Sequence, residues 1–479
     1  MIFNRNTKIS KPSLNQSLLY WVLKLGIASG VIWLLIATMG EIGNIVAILF
    51  AAILGLVAIT RVATKRLDRT MILLAYLAGV EPAIRMYATP LRYMYLEYII
   101  IACAVISLIR TRGSIHKPIL FYGLYLLVDI IGLINTWNFE HGRAMVILTA
   151  GMLGIMILAS RAKLDPQCTH KILGAFLMGS LSIGFLAIRG YVTGEAVVWT
   201  LSSSSEATGG MGANQIGILL AFGAVTAIIL SEMTPLFSHR IVYFALAGMQ
   251  TFLSLLSFTR GAGFILGGAA ILYIILLPPH RKRSMVTGIG ALAVLVVAAY
   301  YAAQFTDTML VMRYRQEDPN LSGRKDLTLT AWYVFLENPM IGVGTANFYE
   351  KSTGRGMGFY DPAGAHNELM RSMAEHGIIG LILWLGFAIS AGFAVWRGAK
   401  GWPRMVRTLY FLMAIAYLFH SGLKLALQPL FISLAIEGFR ISLLYPSERG
   451  QRAFLSRPGF AVPGVQPRRI PGFRTHPDE

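Results

Sequence analysis

"IIGLILWLGFAISAGFAVW", Ile378 to Trp396, carries no charged residue. As a helix it is long enough to cross the roughly 30 Å hydrocarbon core of a bilayer. Directly before it stands "GAHNELMRSMAEHG", Gly364 to Gly377, polar and bearing two histidines. A polar stretch that runs straight into a spanning helix belongs at a water–membrane boundary. The same pattern, apolar runs of spanning length parted by short polar breaks, recurs from Leu18 to Leu444. Composition agrees: the 479 residues are 55% hydrophobic and only 14% charged, against roughly 25% charged in a soluble domain. Mean hydropathy is +0.61. The predicted fold is therefore an all-α polytopic membrane protein of about 12–14 transmembrane helices with one long periplasmic loop containing short helices.

The formal net charge of +19 is placed in alternate breaks. Arg5, Lys8 and Lys11 precede the first run; Arg61, Lys65, Arg66 and Arg69, then Arg110, Arg112 and Lys117, then Arg161, Lys163 and Lys171, then Arg281 to Arg283, then Arg397, Lys400, Arg404 and Arg407 mark later ones. By the positive-inside rule these breaks and both termini face the cytoplasm, so the excess charge speaks of lipid headgroups and not of nucleic acid. The first run lacks a small-residue cleavage site and reads as a retained span. Cys103 and Cys168 match no CxxC or zinc spacing.

Only one break is long. The expected organisation is N-terminal transmembrane helices over 1–304, a long periplasmic catalytic loop over 305–372, C-terminal transmembrane helices over 373–445, and a disordered basic cytoplasmic tail over 446–479. Long loops of this kind are usually functional. Within it "GRKDLTLTAWYVFLENP" spaces Leu327, Ala331, Trp332, Phe335 and Leu336 as one apolar helix face and stops at Asn338 and Pro339. Asn367 can cap a short helix "ELMRSMAEH" that Gly377 ends.

That puts His366 at a helix N-terminus, where the partial positive charge disfavours imidazolium and keeps the ring a usable base. The plainer alternative is that His366 only helps to cap the helix. Glu368 and His376 are near in sequence, but no HExxH or comparable spacing is present, so no metal site is expected. Arg260 in "LLSFTRGAGFILGG" and Arg189 in "FLAIRGYVTG" end apolar runs on the outer side. A guanidinium beside hydrocarbon either meets an anion or snorkels to headgroups. Arg143, Arg85 and Arg92 are expected either to snorkel or to pair internally, for example Arg85 with Glu81. Two outward arginines and a loop histidine together suit a membrane-embedded phosphate and a hydroxyl to be deprotonated.

In the order and spacing of "SFTRGAGFILGG", "LSGRKDLTLTAWYVFLENPMIGVGTANF" and "AHNELMRSMAEHGIIG", the second half of the chain resembles the bacterial O-antigen ligase and O-antigen polymerase superfamily of membrane glycosyltransferases. "GGMGANQIGILLA" is similar to that family's Gly-Asn-Pro-Asn stretch, with Asn214 in the last position and Ala213 in place of the proline. The resemblance implies inverting transfer from an undecaprenyl-pyrophosphate-linked glycan to a glycan or lipid acceptor hydroxyl at the periplasmic face, with no cofactor and no metal. It implies His366 as the base, Arg260 and Arg189 on the pyrophosphate, Arg324, Asn367 and Asn214 in support, and Gly342, Gly344 and Phe348 shaping the loop. A polymerase of O-antigen or exopolysaccharide repeat units, with a chain-length regulator as a possible partner, is slightly favoured over an O-antigen ligase acting on the lipid A core. A protein O-oligosaccharyltransferase is a further acceptor class. A transporter or flippase is a different class, raised by Asp129, Glu81 and Lys424 near apolar runs.

Overall fold

The computed structural model describes residues 14–88, 94–113, 115–162, 164–192, 212–234, 236–276, 282–306, 319–352, 366–423 and 425–437. The expected tail, Lys424 and the stretch "TGRGMGFYDPAG" lie outside them. One compact unit spans Met1–Ile441. The described residues are helical throughout, with no strand among them: α1 Leu14–Thr38, α2 Gly40–Ala63, α3 Leu67–Tyr87, α4 Tyr95–Arg110, α5 Lys117–Gly132, α6 Phe139–Arg161, α7 Pro166–Val192, α8 Ala213–Met233, α9 Phe237–Leu256, α10 Arg260–Ile275, α11 Lys282–Phe305, α12 Pro319–Glu337, α13 Asn347–Lys351, α14 Glu368–Arg397, α15 Trp402–Ser421 and α16 Leu427–Glu437. Among the described residues eight helices are long and apolar enough to cross a membrane. The protein is an all-α polytopic membrane protein. The other helices are shorter or more polar: α10 and α16 are short and apolar, whereas α3 carries Asp68, Glu81 and Arg85.

Side chains are distributed as a lipid solvent requires. On α2 the buried stripe is small, Gly43, Ala47, Ala51, Gly55 and Ala58, while Ile42, Ile45, Leu49, Ile53 and Leu56 on the other side are 57–63% exposed. Large apolar residues gain nothing by leaving hydrocarbon, and small ones let backbones approach, so helix contacts select the latter. α3 and α7 cross in the same way at Gly79 and Gly179, where a Cβ on Gly79 would lie 2.8 Å from the Gly179 Cα. α8 is buried nearly all round and forms the centre of the bundle.

Helix ends gather at two faces. On the basic one Arg161 reaches the Thr111 carbonyl, and His116 Nε2 lies 3.4 Å from Glu437 Oε2. Arg407 donates to the carbonyls of Ala435 (2.7 Å), Ile436 (2.6 Å) and Ala394 (3.2 Å), the last turns of α16 and α14. A cation there satisfies carbonyls that have no helical partner.

On the opposite face α14 is broken at Gly377, whose φ of 61° and ψ of −147° interrupt the helix. The break releases Ile378 N–H and the carbonyls of Ala374 and Glu375. The segment after α12 restores all three: Ile378 N donates to Pro339 O (2.8 Å), Val343 N to Ala374 O (3.1 Å) and Gly344 N to Glu375 O (2.9 Å). Left open in hydrocarbon, each would cost several kcal/mol. The approach is so close that a Cβ on Gly342 would sit 2.2 Å from the Glu375 carbonyl carbon, and one on Gly377 2.6 Å from that of Met340. Phe348 is buried with Leu327, Ala331, Val334 and Ala374. The expected apolar face of α12 is thus corrected: Leu327 and Ala331 face inward with Val334, whereas Trp332 and Leu336 are exposed, because only one helical stripe can meet α13 and α14.

Candidate active site

Asn367 is the N-cap of α14, its side chain accepting from Leu369 N (3.1 Å) and Met370 N (3.3 Å). His366, just before it, is half-buried and holds a left-handed φ of 49°. A bulky residue in that region costs of order 1–3 kcal/mol and persists where the surroundings impose it, often at functional sites. The capping bonds therefore belong to Asn367.

Behind this cap the short helix 368–376 is embedded. Arg371 Nη2 donates to Glu368 Oε1 at 2.6 Å and to the Tyr125 hydroxyl at 3.0 Å, and Nη1 to Glu375 Oε2 at 2.8 Å. His376, 1% exposed, places Nε2 2.6 Å from Asp129 Oδ1 on α5. Thr149 of α6 donates to the second Asp129 oxygen at 2.6 Å. An ionised carboxylate only accepts, so His376 Nε2 carries the proton. Asp129 is also 3.6 Å from Arg371 Nη1. Around it, Thr345 Oγ1 donates to the Asp129 carbonyl (2.6 Å) and Asn347 Nδ2 to the Asn135 carbonyl (2.7 Å), tying the post-α12 segment to α5.

Glu368 has a second role. Its Oε2 accepts from Leu423 N (3.3 Å) in the turn between α15 and α16, and Glu81 Oε2 accepts from Ala426 N (2.8 Å) in the same turn. Gln428 closes it, accepting from Leu425 N (3.1 Å) and donating to Gly422 O (2.9 Å). Glu81 pairs with Arg85, as its i,i+4 spacing predicts, and Arg85 also bonds Glu97 at 3.2 Å. The carboxylates of Asp129 and Glu81, on which a transport reading rested, are thus engaged in bracing helices and turns.

Arg260 opens α10 beside this turn. A Cβ on the next residue, Gly261, would lie 2.2 Å from His420 Nε2, so the imidazole at the end of α15 packs directly on the first turn of α10. The start of α8 adjoins: Ser254 Oγ donates to Gly217 O at 2.6 Å, and Gly217 abuts Ser257 and Thr259. Asn214, half-buried, lies one turn earlier on α8. Phe258, φ 54°, turns the chain between α9 and α10. Contacts therefore run from Gly261, next to Arg260 in sequence, through His420 and the 422–426 turn to Glu368, two residues after His366. Arg189, in the last turn of α7, is hydrogen-bonded to Tyr87 at the end of α3. Arg324 lies in α12, and its side chain is outside the described residues. Sequence reasoning missed His420 and the Arg371 network; the signals were an ionisable residue at the end of one apolar run and Asp129 inside another.

Asp129, Glu375 and His376 offer ligand atoms within 4.8 Å of one another. Arg371 Nη1 already contacts both carboxylates, so a divalent ion would have to displace a guanidinium held by four side chains.

No curated protein matches the chain. Residues 242–385 match the family model described as O-antigen ligase, a stretch that includes Arg260, Arg324, His366, Asn367 and the broken part of α14. Over that segment the chain is similar to the O-antigen ligase family.

Proposed function

We propose that the protein is a metal-independent inverting glycosyltransferase acting at the periplasmic face of the bacterial inner membrane. Its donor is an undecaprenyl-pyrophosphate-linked glycan and its product a polymer of O-antigen or exopolysaccharide repeat units. The observation that supports this reading is the run of contacts from Gly261, next to Arg260, through His420 and the 422–426 turn to Glu368, two residues after His366. In this reading His366 takes the proton of the acceptor hydroxyl. The oxygen attacks the anomeric carbon, the bond from that carbon to the pyrophosphate oxygen breaks, and its electron pair leaves with the pyrophosphate. Inversion follows from attack opposite the leaving group. Arg260, at the N-terminus of α10, offsets the charge that grows there, and Arg189 holds the far side of the same anion. Asn367 and Glu368 fix the helix start beside the base, and Asn214 and Arg324 support the surrounding loop and helix start.

The family description names a ligase, which keeps transfer to the lipid A core as a second reading with the same donor chemistry. The test is incubation of purified protein with lipid-linked glycan in EDTA. Product of higher glycan length and free undecaprenyl pyrophosphate are expected, and Arg260→Ala is expected to weaken donor binding as well as turnover. Transfer that stops in EDTA and returns with one divalent ion would overturn the metal-free chemistry. Transfer only to lipid A core would select the ligase.

A further inference from the structure

On the basic face, remote from the chemistry above, α1, α2, α3 and α7 enclose a cavity of about 510 Å³. Arg61, Arg69 and Lys171 line it with positive charge, and Leu18, Trp21 and Ile72 line it with apolar surface. Arg61 Nη1 donates to the Arg69 carbonyl at 3.1 Å, which fixes one cation beside the other. The carboxylates of Asp68 and Asp165, on the same helix ends, are not part of the lining, and Asp165 Oδ1 is occupied by Cys168 N at 2.6 Å.

The second observation is His170, 5% exposed and part of the same lining. Its Nδ1 lies 3.1 Å from the Pro166 carbonyl; a carbonyl only accepts, so Nδ1 carries a proton. Nε2 is buried and has no protein partner. A buried polar atom left in that state is costly, and native sites fill it. A further cavity on the basic face also presents Lys117 and Arg397, but the Glu437 carboxylate, 3.4 Å from His116, puts an anion in its lining.

We infer that this cavity binds the headgroup of an anionic glycerophospholipid from the adjoining leaflet. Arg61, Arg69 and Lys171 take the phosphate, and His170 Nε2 accepts from a headgroup hydroxyl. Leu18, Trp21 and Ile72 lie against the first acyl carbons, a contact that a soluble phosphate would leave unused. Basic pockets between spans on the positively charged side are suited to such lipids, each cation contributing through a leaflet potential that falls off within a Debye length.

The test is native mass spectrometry of the delipidated full chain with added phosphatidylglycerol, phosphatidylcholine or glycerol phosphate. Retention of phosphatidylglycerol alone is expected. The double variant Arg61→Gln, Arg69→Gln should lower it about tenfold or more, and His170→Leu about threefold, the loss of one hydrogen bond. The control pair Lys400→Gln, Arg404→Gln, from another basic break, should leave it unchanged. Thermal unfolding in phosphatidylcholine micelles checks each variant, and Lys171→Gln replaces the double variant should that one not fold. Equal retention in the cavity variants, equal loss in the control pair, or equal retention of phosphatidylcholine would overturn the site. Displacement of phosphatidylglycerol by an equal concentration of glycerol phosphate would overturn the lipid assignment in favour of a soluble anion.

Discussion

His366 and His376 stand at opposite ends of one short embedded helix, and their surroundings have little in common. His376 is sealed at 1% exposure between Asp129 and Tyr125, with its proton committed to a carboxylate. His366 is half-buried, strained into a left-handed backbone and placed outside the cap. A histidine whose ring nitrogen is bonded to a buried carboxylate of another helix acts as a brace. One half-buried at a helix entrance meets the acceptor in the reading proposed above. The same residue type in the same segment thus serves two ends, and the difference lies in what packs around each.

The largest expected effect tests the His366 end. His366→Ala should lower turnover by about 10²- to 10⁴-fold, the range for a lost general base, while donor affinity and thermal stability stay near wild type. Turnover and donor binding measured on the same folded preparation decide it. Near-normal turnover would remove the distinction between the two histidines by leaving both structural.

Gly377→Ala comes next and tests the break between them. It combines a positive φ with a Cβ that would meet Met340 at 2.6 Å. The expected loss is about 3 kcal/mol or more, because both strain and backbone bonds to the post-α12 segment are involved. Thermal unfolding in detergent reads it, and an unchanged midpoint would mean that the segment yields freely and does not brace α14.

The smallest effect sharpens the sealed end. His376→Ala leaves Asp129 with Thr149 and Arg371 but removes one charge-assisted bond, so stability should fall by about 1–3 kcal/mol. Turnover per folded molecule should change far less than in His366→Ala. A loss of turnover as large as that of His366→Ala, at unchanged stability, would give the buried histidine a part in the chemistry.

Much of the local structure was legible because it depends on neighbours in sequence. Asn367 as cap, Gly377 as helix end, and the Glu81–Arg85 pair all follow from one or two helical turns of chain. α12 was legible as a helix but not in its facing, since Trp332 and Ala331 are equally apolar and only contact with α13 and α14 distinguishes them. The Asp129–His376 pair was not legible at all: its members come from different spans, and nothing in either segment names the other.

The sequence by itself determined that the chain lives in a membrane, is helical and alternates basic with less basic breaks, and its second half holds a stretch similar to the O-antigen ligase family. Those properties are set by transfer free energies and local backbone preferences, which act residue by residue. Tertiary structure alone decided that α14 could break at Gly377, that His420 would lie on Gly261 beside Arg260, and that His170 would be buried in the lining of a basic cavity with one ring nitrogen unpartnered. Each of these depends on atoms brought together across many residues of chain. In hydrocarbon such contacts are selected by the cost of leaving a polar group without a partner.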